Sequence, residues 1–310
     1  MVQLLHFPAN IIIFVFRKQT FVTMSKLRIF LLGLAVAAGC MAAKAQSIQA
    51  LENDQYSIGL SHITMVVDAG HGGKILSFRY DEKEMLSQTR WPNSFGSTFW
   101  TSPQAEWNWP PVPEYDTKPY TVEQTSPTLV ISSQPTGQHP YRIRKEFRAD
   151  EEDNAIAVTY FLINETQEER KVAPWEITRV PNGGTVIIDA QAEDITPADL
   201  MPFEFRDGVA WYAVDVTEAN RKINADGKGW LAFHDNGLLM VKMFQDLSKD
   251  EPAPGEAEVQ VYVNARKTFV ELESQGPYTL LKPGESLAWT VRWYLEPMET
   301  PDSWKKAVLK

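Results

Sequence analysis

In "SLAWTVRWYL" every second residue is apolar: Leu287, Trp289, Val291, Trp293 and Leu295. Successive side chains of a strand point to opposite faces, so this pattern predicts a strand with one face buried and the other wet. The same period runs through Ile156, Val158, Tyr160 and Leu162 in "NAIAVTYFLIN", and through Val259, Val261 and Val263 in "EVQVYVN". Turn residues punctuate these runs. Asp235-Asn236-Gly237 splits "GWLAFHDNGLLMVKMF" into a predicted hairpin, Pro283-Gly284 precedes the last long strand, and "GHGGKILSFRY" reads as a glycine turn entering a strand. Helical signals are confined to 192–200 and a segment from Asp302. Many strands without alternating helices predict an all-β sandwich or barrel, and such folds can exceed 200 residues as one domain.

The first 45 residues stand apart. From Met24, which reads as the true start, the chain has a basic opening (Lys26, Arg28), an apolar run from Ile29 to Gly39, and "AKA" before Gln46. This is the order of a secretory signal, and its apolar run is short for a bilayer span. The expectation is export, to the periplasm, of a single domain over 46–310. Cys40, the one cysteine, lies in "AAGC", a weak lipid-attachment box with Ala37 where Leu is usual, so lipid anchoring there is the less favoured alternative. Removing 1–45 takes five of the 30 Lys and Arg and none of the 40 Asp and Glu, which moves the formal charge from −10 to −15. An acidic surface of this kind repels phosphate backbones, which argues against nucleic acid as a partner. No later segment resembles a membrane span.

Three stretches could carry chemistry. "SPQAEWNWPPVPEYD" (102–116) holds Trp107 and Trp109 on a proline-stiffened loop with Gln104 and Glu106 beside them. Rigid aromatic faces with nearby carboxylates and amides suit sugar rings, while capping of the core explains the same rings without a ligand. In "VAPWEITRVPNGG" (172–184), strand geometry puts Glu176 and Thr178 on one face and Arg179 on the other. In "TFVELESQGP" (268–277), Phe269, Glu271 and Glu273 share a face, and two carboxylates side by side can poise one of them as an acid or base. A solvated outer face would show the same pattern. No His or Cys pair has metal-ligand spacing, no G-x-S-x-G elbow occurs, and "AGHGGK" lacks phosphate-loop spacing, so no metal or cofactor is expected.

Taken together, "GGKILSF", "FGSTFWTSPQAEWNWPP", "APWEITRVPNGG" and "FVELESQGPYTLLKPGESLAWTVRWYL" resemble a family of uncharacterised exported bacterial proteins of the galactose-mutarotase-like superfamily, from about Ser57 to Leu295. The resemblance implies an antiparallel β-supersandwich with a sugar site on its concave face. It also implies an aldose 1-epimerase-like isomerase or a glycan-processing enzyme, with a non-catalytic glycan-binding protein of the envelope as the alternative. Glu273-Ser274-Gln275 is similar to the epimerases' Glu-Thr-Gln triplet, whose Glu is the base, so Glu273 is the implied base. The epimerases' acid is a His on a central strand. Here that strand looks like "KVAPWEITRV", which offers Glu176 instead. Trp107, Trp109, Gln104, Glu106, Arg179 and Glu271 complete the expected carbohydrate site.

Overall fold

The computed structural model describes residues 47–301 and Lys305, apart from 92–93, 136–138 and 267–268. The leader and the helical signal from Asp302 to the C-terminus lie outside the described residues, Lys305 excepted. About half of the described residues are strand, in two antiparallel sheets.

The larger sheet runs from the edge strand Ser47–Ala50 through Gln55–Leu60, Ile63–Asp68, Lys74–Tyr80 and Ser97–Ser102 to Arg170–Val180. It continues through Val270–Gln275, Val259–Val263 and Arg221–Ala225 to Ile195–Thr196. The smaller sheet centres on Ser286–Pro297, flanked by Leu238–Met243 and Ala155–Asn164. Alternation builds the layer between the sheets. Trp289, Val291, Trp293 and Leu295 are buried in one core cluster with Ile156, Val158, Tyr160 and Leu162, and the residues between them in the last strand are partly exposed. Val259, Val261 and Val263 reach that core from the larger sheet.

The predicted hairpin is present, Trp230–Asp235 pairing with Leu238–Met243. Its two-residue turn has positive φ at both Asn236 (50°) and Gly237 (72°), which Asn-Gly adopts at low cost. At "AGHGG" the structure shows a packing turn. Gly72 has φ 63°, and a Cβ there would meet the Asp116 carbonyl oxygen at 2.2 Å. Around 192–200 the expected helix shrinks to a single 3-10 turn, Ala192–Asp194, followed by the short strand Ile195–Thr196. β-Branched residues and then Pro197 deny a helix its continuation there.

Candidate functional site

The site follows from the register of Arg170–Val180, which lies inside the larger sheet between Ser97–Ser102 and Val270–Gln275. Its residues are buried from Val172 to Val180, so burial does not distinguish its faces; partners do. Glu176 and Thr178 turn inward. Lys242 Nζ, from the smaller sheet, sits 2.7 Å from Glu176 Oε2 and donates to Thr178 Oγ1 at 2.9 Å. Tyr160 Oη donates to Glu176 Oε1 at 2.7 Å. Trp175, Ile177 and Arg179 turn outward, where Trp175 and Ile177 form a separate apolar cluster with Trp100.

Across the neighbouring strand, Arg179 is paired with Glu271 and Ile177 with Glu273. Glu271 and Glu273 therefore share the outer face, about 6.6 Å apart along the strand by ideal geometry. The row extends through Tyr262, opposite Glu271, to Lys222, opposite Tyr262. These groups line a cavity of about 380 Å³ together with Gln104, Trp100 and Trp109.

Within it, charges are matched in pairs. Arg179 Nη2 lies 2.8 Å from Glu271 Oε1 and Lys222 Nζ 2.9 Å from Glu273 Oε2. Trp175 Nε1 also donates to Glu273 Oε2, at 2.8 Å. Both donors fall on one oxygen, and among the described residues Glu273 Oε1 receives no hydrogen bond. Burial raises the Glu271 carboxyl, with the Arg179 charge opposing it. The Arg179 guanidinium is itself sandwiched near the Trp100 and Phe269 rings, at 5.9 and 5.6 Å from their centroids, and the Lys222 ammonium lies 4.9 Å from the Trp175 ring centre.

The wall is held from behind. Asp116, in the short helix Pro113–Asp116, accepts from Trp100 Nε1 at 3.0 Å and Thr98 Oγ1 at 2.8 Å, and pairs with buried Lys74 at 3.1 Å. The proline loop is pinned by Trp107 Nε1 donating to the Thr101 carbonyl at 2.8 Å and by the Gln104 amide donating to Glu256 at 3.3 Å. Among the described residues, no three His, Cys, Asp or Glu side chains come together as a metal-binding group.

Of the expected site residues, the cavity gathers Glu273, Glu271, Arg179, Gln104 and Trp109. Glu176 is a correction. It is wholly buried on the opposite sheet face, because position 176 differs in parity from Trp175, Ile177 and Arg179, so a ligand in this cavity meets none of its atoms. Trp107 and Glu106 are also displaced. They line a neighbouring cavity, with the Trp107 ring half-buried against Trp100 and Trp175. Sequence reasoning missed Lys222, whose partner Glu273 is 51 residues away. Trp100, in the tryptophan-rich segment that runs from Trp91 to Trp109, carried a signal that composition alone could not assign to a face, and Trp175 stood alone among aromatics in its stretch.

No family model matches the chain, and no curated protein matches it by sequence. Solved structures do share its fold. A candidate aldose 1-epimerase from Escherichia coli K12 is 15% identical, with 82% of this chain and 100% of that chain covered at a TM-score of 0.54. A galactose mutarotase-like protein from Clostridium acetobutylicum is 11% identical, with 81% and 98% covered at 0.52. A candidate aldose 1-epimerase from Klebsiella pneumoniae is 10% identical, with 81% and 83% covered at 0.55. The fold is thus the galactose-mutarotase-like supersandwich anticipated from the sequence.

Proposed function

We propose that this protein takes a neutral sugar in the outer cavity and that Glu273 accepts a proton from a sugar hydroxyl there. The observation that carries the reading is that Glu273, 2% exposed, lines a cavity walled by tryptophan with two donors on one carboxylate oxygen and, among the described residues, no hydrogen bond on the other. Paired charges of both signs favour hydroxyl groups over an anion or a cation, and an indole 65% exposed at Trp109 offers a face for the apolar side of a pyranose. The kinship of fold with proteins named as aldose 1-epimerases and mutarotases adds weight to a sugar as ligand.

The chemistry this arrangement supports is ring opening and closure of an aldose. Glu273 takes the anomeric hydroxyl proton as the ring C–O bond opens, and the ring oxygen takes a proton from solvent or from Glu271 in its neutral form, which burial favours and the Arg179 charge opposes; closure reverses both transfers. Polarimetry of aldose mutarotation tests it. Wild-type protein should accelerate the approach to equilibrium, and Glu273→Gln should lower that acceleration by about 10²–10⁴-fold, the usual contribution of a placed general base. A second reading, non-catalytic glycan binding, is favoured by the ion pairs that hold both carboxylates and by the lack of histidine among the described residues that line the cavity. Sugar binding by calorimetry without any acceleration would select it.

A further inference from the structure

A second cavity, of about 620 Å³, opens on the other side of the proline loop, lined by Thr101, Glu106, Trp107, Tyr141, Glu165 and Arg170 among others. The strand Ser97–Ser102 and the loop that follows it serve both cavities. Trp100, Gln104 and Trp109 face the Glu273 cavity, while Thr101, Glu106 and Trp107 face this one. Trp107 is the partition: its ring centre lies 5.6 Å from that of Trp100 and 6.3 Å from that of Trp175, both of which line the Glu273 cavity. The two spaces are therefore one indole apart.

The second cavity repeats the chemistry of the first. It has an aromatic wall, carboxylates at Glu106 and Glu165, and a guanidinium at Arg170. Glu165 is steadied by Arg142 at 2.8 Å. Burial raises the Glu106 carboxyl, with the Arg170 charge opposing it. With Arg142 on Glu165 and Arg170 acting on Glu106, the two carboxylates and two guanidiniums balance beside His139, so no excess charge selects an anion or a cation, whereas hydroxyls can both donate to the carboxylates and accept from Arg170. The volume falls within the usual range for small-molecule sites, roughly 300–1,000 Å³. A single sugar in the Glu273 cavity leaves all of this unused.

We infer that this cavity is a second sugar subsite, so that the ligand is an oligosaccharide whose residues lie on either side of Trp107. The inference rests on the sugar reading of the Glu273 cavity. It is tested by presenting the full chain to an array of neutral mono- to tetrasaccharides, with calorimetry on the strongest series, for wild type and for Arg170→Ala combined with Glu165→Gln. Affinity should rise at least about tenfold from mono- to oligosaccharide, about 1.4 kcal/mol. The double variant should lose that rise while keeping monosaccharide affinity. Equal affinity for short and long sugars would overturn the second subsite and leave the Glu273 cavity standing. A rise that survives in the double variant would overturn the assignment to this cavity. Binding of no saccharide would overturn both readings.

Discussion

One strand separates two kinds of charge. On the inner side of Arg170–Val180, Glu176 meets Lys242 with neither side chain exposed at all. On the outer side, one residue further along in register, Glu273 meets Lys222, whose side chain is 34% exposed, at the wall of a cavity. Both are carboxylate–lysine pairs of nearly equal length. The inner pair is locked between the sheets with Tyr160, Thr178 and Ser274 supplying further contacts. In the outer pair, one Glu273 oxygen receives no hydrogen bond among the described residues. The difference teaches that an unusual buried ion pair identifies a functional group only when a ligand can reach it; enclosed on all sides, it is architecture.

The comparison breaks most visibly at its centres. Glu176→Ala leaves Lys242 buried without its partner and should destabilise the fold by about 3–5 kcal/mol. Glu273→Ala should cost much less, because water reaches Lys222. Chemical denaturation of both variants checks this, and similar losses would erase the distinction. Burial pulls Lys242 below the usual lysine range, with Glu176 opposing, so Lys242→Met in the Glu176→Leu background should recover much of the lost stability.

A second test uses pH. Lys145 is fully buried between the sheets and donates to the Gly72 and Gly73 carbonyls at 2.8 and 2.9 Å. Burial, then the nearby Lys74 charge, lowers it to about 7. Between about pH 7 and 10 the unfolded chain holds a proton that the folded protein has shed. Stability contributed by this group therefore rises with pH, by up to about 1.4 kcal/mol per unit, and is flat below pH 7 where both states are charged. Urea titrations across pH 7–9.5 should show that slope reduced in Lys145→Met; parallel slopes would refute it.

The smallest effect sharpens the outer side. Trp109→Ala should weaken sugar binding by more than about 1 kcal/mol, the scale of an interface anchor, while changing stability by less than about 0.5 kcal/mol. Trp107→Ala should cost more stability, since that ring packs on Trp100 and Trp175. Melting curves and calorimetry on the two variants separate the roles; a stability loss at Trp109 with normal affinity would make its ring structural.

What the sequence determined by itself is what is local. Period-two alternation specified strands, their faces and hence a two-layer β fold, because strand geometry forces neighbours to opposite sides. The same parity correctly put Glu271 with Glu273 and separated Arg179 from Glu176. Asn-Gly specified its hairpin for the equally local reason of backbone freedom. Only the tertiary structure decided which face of Arg170–Val180 looks outward, since that strand is buried on both sides and its composition carries no inside and outside. It alone brought Lys222 to Glu273, Lys242 to Glu176 and Asp116 behind Trp100. The two lysine pairings join residues far apart in the chain. A lysine's destination is set by which strands close around it, and no run of neighbours records that.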